Sequence, residues 1–264
     1  HCGCIRPSGL KDLQNGEQTV WGYGCFFLFF WDLSWWFMEG FCMTELVRSE
    51  PVIQAAKVTK YFGEDCVLKE ADLILRKGEV CGIVGNNGSG KTVLMKCICG
   101  FLPVTSGVIR VQGKEIGKDT DFPESLGVII ESPGFLTNMT GFRNLEILAD
   151  MNRRITAAQI RLVLKKVGLD PDLKKAVAKY SLGMRQRLGI AQAIMEDPDL
   201  LILDEPFNGL DKHGVEEIRK ILLELKKEGK SILLASHNAE DIRILCDRVF
   251  EMDGGILRER GTAQ

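Results

Sequence analysis

With 264 residues, 45% hydrophobic and 27% charged, the chain is long enough to bury one large core or two modest ones. Its formal net charge of −2 supplies no sequence-wide basic field, so no nucleic-acid partner is expected.

The composition divides at Met43. All four Trp, at 21, 31, 35 and 36, precede it, as do many of the Phe and Cys, whereas charge is balanced in the remainder. "VWGYGCFFLFFWDLSWWFM" has roughly the length of a bilayer-crossing helix, but Asp32 interrupts it. The uninterrupted apolar run is nearer to a signal-peptide core, yet no basic flank or small-residue cleavage site accompanies it. A further reading takes residues 1–42 as in-frame upstream sequence and Met43 as the natural start. Trp, Cys, Gly and Phe are what G- and T-rich DNA encodes, and ordinary composition resumes at "MTELVRSEPVIQ". The segment is therefore expected to be either non-native or a hydrophobic extension, ahead of one domain over 43–264.

From Glu79, "EVCGIVGNNGSGKT" reads as a short apolar strand, a glycine-rich loop and the start of the helix "KTVLMKCICGFL". Gly85, Gly88 and Gly90 permit the positive φ and close backbone approach that let amides surround a phosphate, with Asn86, Asn87 and Ser89 between them. Lys91 supplies a point charge to the outer phosphates, and Thr92 a hydroxyl for magnesium. The helix that begins here adds the positive end of its dipole. Cys97 and Cys99 form a C-x-C with no second cluster at metal spacing, so Cys66, Cys81, Cys97, Cys99 and Cys246 are expected as free, mostly buried thiols.

"VIIESPGF" then places a carboxylate, Glu131, in an otherwise apolar and turn-prone stretch. "TGFRNLEILADMNRR" is expected to form a helix from Thr140, and "ITAAQIRLVLKKVGL" a second one after Thr156 that ends at Gly168. "LEILA" and "IRLVL" provide their core stripes. In "AKYSLGMRQRLGIAQAIMEDP", Ser181 is an N-cap ahead of the spaced Leu188, Ile190, Ala191 and Ile194, which makes a second helix start where Ser181 and Gly183 can bind an anion.

"DLLILDEP" is a buried strand that delivers Asp204 to the carboxyl edge of a parallel sheet as a magnesium ligand. Glu205, one residue on, can face an attacking water as general base. "VEEIRKILLELKKEGK" is an amphipathic helix with solvated lysines. "SILLAS" is a third strand, and it brings His237 to the same edge.

Taken together, the phosphate loop, "SLGMRQR", "LLILDEP", "FNGLD" and "ASH" resemble, in order and over about residues 52–254, the ATP-binding subunits of ABC transporters. The resemblance implies a P-loop NTPase of α/β class, with a RecA-like, mostly parallel sheet, an N-terminal antiparallel β subdomain and a helical subdomain at about 134–195. It implies ATP and Mg²⁺ as ligands and head-to-tail pairing with a second ATPase subunit, read as a homodimer. Ser181 and Gly183 would then contact the γ-phosphate in trans, and Asn208 to Asp211 would line the seam. Phe62, or Tyr61 if the register slips by one, would stack on adenine. Glu131 stands where the family has a Gln that reaches magnesium or water and senses an integral membrane permease. That permease would hold the subunit on the cytoplasmic face of the membrane, docked in a groove around Glu131 and Phe135.

Three signature positions depart from the common pattern: Tyr180, Leu182 and Met184 stand where Leu, Gly and Gln are usual. Glu131 with "SLGM" resembles the bacitracin-resistance and lantibiotic-immunity branch, which implies export of peptide antibiotics. A general drug or lipid exporter, a regulatory ATP-driven clamp and a membrane-tethered half-transporter are the alternatives. No internal repeat, long coiled coil or second cassette is evident.

Overall fold

A computed structural model describes residues 51–131 and 134–262, so the expectations for residues 1–42 lie outside it. Two sheets organise the chain. The first is antiparallel, with strand order β2-β1-β4-β5, built from β1 (Pro51–Phe62), β2 (Asp65–Arg76), β4 (Ser106–Val111) and β5 (Lys114–Glu115). The second has the order β10-β9-β3-β8-β7-β6, from β3 (Val80–Val84), β6 (Leu126–Ile129), β7 (Leu200–Asp204), β8 (Ser231–Ala235), β9 (Arg248–Asp253) and β10 (Ile256–Thr262). It is parallel throughout except for the antiparallel edge strand β10.

The strands of the antiparallel sheet alternate inward and outward, but the alternation changes phase once in each long strand. In β1 the buried residues run Ile53, Ala55 and then Val58; in β2 they run Leu68 and then Ala71, Leu73, Leu75. Lys57 and Glu70 sit at those breaks with φ of 48°, so each phase change coincides with a left-handed residue, and β1 shows register shifts there. An inserted residue of this kind returns the next apolar side chain to the core face.

β7 and β8 are buried along their whole length, as strands covered on both faces must be. Their side chains feed two cores in turn. Leu201, Leu203, Ile232 and Leu234 belong to one cluster, and Leu200, Ile202, Leu233 and Ala235 to the other. The second cluster takes in the antiparallel sheet and helix α1 (Lys91–Ile98). The helix stops short of the predicted "CGFL", because Gly100 turns left-handed (φ 81°) with its Cα against the Asp121 carbonyl, where a Cβ would come within 1.9 Å.

The first cluster holds α2 (Gly141–Asn152), α3 (Ala157–Lys166), α4 (Leu182–Ile194), α5 (Lys212–Lys227) and α6 (Ala239–Leu245). Thr140 caps α2, Thr156 and Gln159 form a full capping box on α3, and Ser181 caps α4. The two expected stripes pack inward through Leu145, Ala149, Ile160 and Leu164. Tyr180 is buried ahead of α4, and its hydroxyl accepts the Gly141 amide at 3.3 Å. A leucine there would leave that amide without this partner, which gives one of the three departures a physical reason.

The five described cysteines are free, and all but the half-buried Cys66 are buried. Burial pushes the thiols of Cys97, Cys99 and Cys246 up to about 11, 12 and 12, so they are packed as apolar groups and not as nucleophiles.

Candidate active site

Parallel pairing aligns Ile83 and Asp204 with the same residue, Ala235, so β3, β7 and β8 end on one edge. The loops that leave this edge carry the phosphate-loop residues, Glu205 and His237. A cavity of about 570 Å³ opens there, lined by Asn87, Gly88, Gly90, Lys91, Thr92, Glu131, Asp204 and Glu205, together with Val67, Leu182, Gln186 and Asn208.

Three glycines of the loop are left-handed, with φ of 151°, 78° and 113° at Gly85, Gly88 and Gly90. A Cβ on Gly85 would come within 2.2 Å of the Met252 carbonyl, so the backbone has no room for another residue there. Lys91 is buried, and its ammonium donates to the carbonyls of Gly85 (2.7 Å) and Asn86 (3.0 Å). The charge is therefore held inside the loop it is to serve. Ser89 is buried with its Oγ unpartnered, an unmet hydrogen-bonding capacity within the same loop.

The Thr92 hydroxyl donates to Asp204 Oδ2 at 2.5 Å, which joins the first turn of α1 to the end of β7. Glu205 follows in a left-handed conformation (φ 49°), with its amide bonded to the Ala235 carbonyl at 2.9 Å. Its Oε2 lies 2.8 Å from His237 Nδ1, while its Oε1 is buried and unpartnered. A buried, unmet acceptor on the wall of a polar cavity is suited to a water molecule. His237 itself is exposed.

Glu131 reaches the cavity rim in a strained backbone conformation (φ 60°), with its Oε1 2.6 Å from Lys96 Nζ. Of the three expected magnesium ligands, the structure therefore brings Thr92 and Asp204 into contact and pairs Glu131 with a lysine instead. Among the described residues no group of three or more His, Cys, Asp or Glu side chains forms a metal cage. A hydroxyl and one carboxylate suit Mg²⁺, which keeps several waters and takes its remaining ligands from phosphate oxygens. The unmet Ser89 Oγ, the glycine backbone and Lys91 likewise fit a polyphosphate.

Gly85, Asn86, Ser89 and His237 flank this lining without entering it, and Phe62, Asp211, Ser181 and Gly183 also lie outside it. Phe62 is half exposed, with Lys60 Nζ 5.1 Å from its ring centroid, and Tyr61 is exposed to nearly the same degree. Asp211 caps α5, accepting the Gly214 amide at 2.9 Å. Ser181 Oγ accepts the Met184 amide at 3.2 Å, so part of its hydrogen-bonding capacity is used within its own helix. Gly183 lies so close to the 208–211 loop that a Cβ would come 2.9 Å from the Gly209 carbonyl. Leu182 packs over Gly209 and remains 58% exposed.

Sequence reasoning missed two contributors. Gln186 is buried on α4, and its Nε2 donates to the carbonyls of Pro206 (2.8 Å) and Glu205 (3.4 Å), which fixes the chain just beyond the proposed base. A polar residue on the apolar face of a predicted helix was the available signal. Lys96 carried none, because only folding brings it to Glu131.

The class defined by this fold and site is a P-loop NTPase with a helical insertion. The ABC transporter family profile matches residues 68–208, and the chain belongs to that family as an ATP-binding, ATP-hydrolysing cassette. It is 42% identical over 212 residues to the bacitracin transport ATP-binding protein BcrA of Enterococcus faecalis, covering 80% of this chain and 69% of that protein. Identity to the lantibiotic transport ATP-binding protein SrtF of Streptococcus pyogenes is 36% over 210 residues, covering 79% and 90%. The dimeric bacterial ABC transporter cassette MJ0796 superposes with a TM-score of 0.73 at 24% identity, over 80% of this chain and 99% of that one. That likeness bears on the fold. Among the described residues no helix is long and apolar enough to cross a membrane.

Proposed function

We propose that the chain, over residues 43–264, drives an export system for peptide antibiotics by closing on ATP against a second copy of itself. The observation that carries the catalytic part is the cluster at one sheet edge: the Thr92–Asp204 bond, Lys91, and a Glu205 whose buried Oε1 lacks a partner while Oε2 is held by His237. Lys91 exchanges its carbonyl partners for phosphate oxygens, and the loop amides around Gly88 and Gly90 hold the remaining charge. Thr92 and Asp204 would hold a magnesium ion, which when bound would neutralise phosphate charge, with Glu131 at the rim. Glu205 Oε1 accepts a proton from the attacking water, and His237 keeps that carboxylate turned toward it. Most of the rate comes from positioning and fixed charge, which suits a site whose groups are already placed.

Phe62 stacks on the adenine. Ser181 and Gly183 present the start of α4 to the nucleotide of the opposing subunit, and Asn208 to Asp211 line the seam. The region at 134–195 receives an integral membrane permease beside Glu131 and Phe135, which places the subunit on the cytoplasmic face of the membrane. The cargo class is supported by BcrA and SrtF, whose names specify bacitracin and lantibiotic transport, and by Glu131 with "SLGM" in this chain.

The test is a growth-inhibition panel in a sensitive bacterium carrying this chain with its neighbouring permease, beside a Glu205→Gln version. Protection confined to bacitracin or lantibiotics, and abolished by the substitution, is the expected result. Protection against unrelated small drugs alone would reject the peptide cargo.

A further inference from the structure

Three carboxylates, Glu131, Asp204 and Glu205, line a cavity meant for a polyphosphate, and Lys91 is the one cation among its lining residues. Taken alone, this balance opposes the ligand, since each uncompensated carboxylate repels phosphate. Glu131 adds the excess charge, and its backbone is already held at a φ of 60°.

Lys96 lies one helical turn beyond Thr92 on α1, so the two side chains emerge from the same helix face. One turn makes the Thr92–Asp204 contact at 2.5 Å and the next makes the Lys96–Glu131 contact at 2.6 Å. α1 thus fixes both carboxylates from a single face. The Lys96 side chain is 27% exposed and that of Glu131 63%, so the pair sits at the water-facing rim, where the lysine can cancel charge without a large desolvation cost.

We propose that Lys96 is a positioning residue for the phosphate site, matched to Glu131: it holds that carboxylate at the rim and cancels its charge, so that an acid at position 131 is compatible with nucleotide binding. The inference rests on the nucleotide-binding reading of the same cavity. It has a sharp consequence, because Lys96 is needed for nucleotide binding only while residue 131 is an acid.

The experiment is a thermodynamic cycle on the full chain with Lys96→Met, Glu131→Gln and the double variant. Binding of a fluorescent ATP analogue is titrated with Mg²⁺ and again in EDTA, at low and high salt. Lys96→Met is expected to weaken binding about two- to fivefold at low salt, less at high salt, as a partly exposed charge pair should. In the Glu131→Gln background Lys96→Met should cause no further loss, and Lys96→Arg with Glu131 in place should show none. The EDTA arm should show the same loss, because the repulsion acts on phosphate directly. A purely structural role in α1 predicts an equal loss in both backgrounds. That result, or no loss in either background, overturns the proposal. A wild type that binds no nucleotide would instead overturn the reading on which it rests.

Discussion

On the proposed mechanism the sheet edge and the start of α4 both meet phosphate, but they differ in how complete they are. At the edge, Lys91 and Asp204 are buried, the Thr92–Asp204 contact is made, and Glu205 is locked by its amide and by His237. At α4, Ser181 and Leu182 are exposed, and Ser181 accepts a bond only from its own helix. One region is a finished half-site; the other is a surface. Within a single chain, the first can bind and the second has nothing to bind. The difference follows from how each is held. Parallel strands fix the edge through backbone bonds across the sheet, whereas a helix terminus offers its amides outward.

The largest break in this comparison should come from Glu205→Gln, which keeps the shape and removes the proposed base. Steady-state hydrolysis should fall by about 10²- to 10⁴-fold with nucleotide affinity retained, and light scattering should show an ATP-dependent dimer. A variant that hydrolyses normally would remove Glu205 from the mechanism.

Next in size is Asp241→Ala. Asp241 is buried, accepts from Arg219 Nε at 2.7 Å, and shares Ser236 Oγ with the Asn238 amide on either side of His237. Removing one partner of a buried ion pair costs about 3 to 5 kcal/mol, read by urea denaturation. If stability is untouched, the His237 loop is not held from α5 as these contacts imply.

Ser181→Ala sharpens the comparison from the other side. Loss of the cap should cost about 1 kcal/mol of stability, and nucleotide binding by the isolated chain should not change, because Ser181 is not part of the cavity lining. Hydrolysis, which on the proposed mechanism needs the paired state, should fall. A loss of nucleotide affinity in the monomer would mean the two regions are not separate.

A smaller effect concerns the far edge of the sheet. The hydrogen bond from Arg248 at 2.8 Å lowers the Glu259 carboxyl below its ordinary value of 4.5. A group depressed in the folded state contributes stability that is present above pH 4.5 and is lost as pH falls through the lowered value. Glu259→Gln should therefore lower the melting temperature slightly near pH 7, and the gap to the wild type should close as pH falls below 4.5.

Smallest of all, iodoacetamide at pH 8 should modify Cys66 well before Cys97, Cys99 and Cys246, as peptide mapping will show. Rapid labelling of the buried three would contradict the packing of α1 and α6.

Local pattern determined the strands β3, β7 and β8, the caps Thr140, Thr156 and Ser181, and the residues Lys91, Thr92, Asp204, Glu205 and His237. Each is announced by a short stretch whose chemistry depends on neighbours in the chain: an apolar run that ends in an acid, a glycine loop that runs into a helix, a hydroxyl ahead of an amphipathic stripe. The phase changes at Lys57 and Glu70, the contact of Leu182 with Gly209 and the pairing of Lys96 with Glu131 had no such signal. They join residues up to 35 positions apart in the last case, and they exist only once the sheets and helices are packed. Residue types and their spacing decide which chemistry a segment can offer; the close approach of segments decides whether an added charge, such as that of Glu131, is opposed or cancelled.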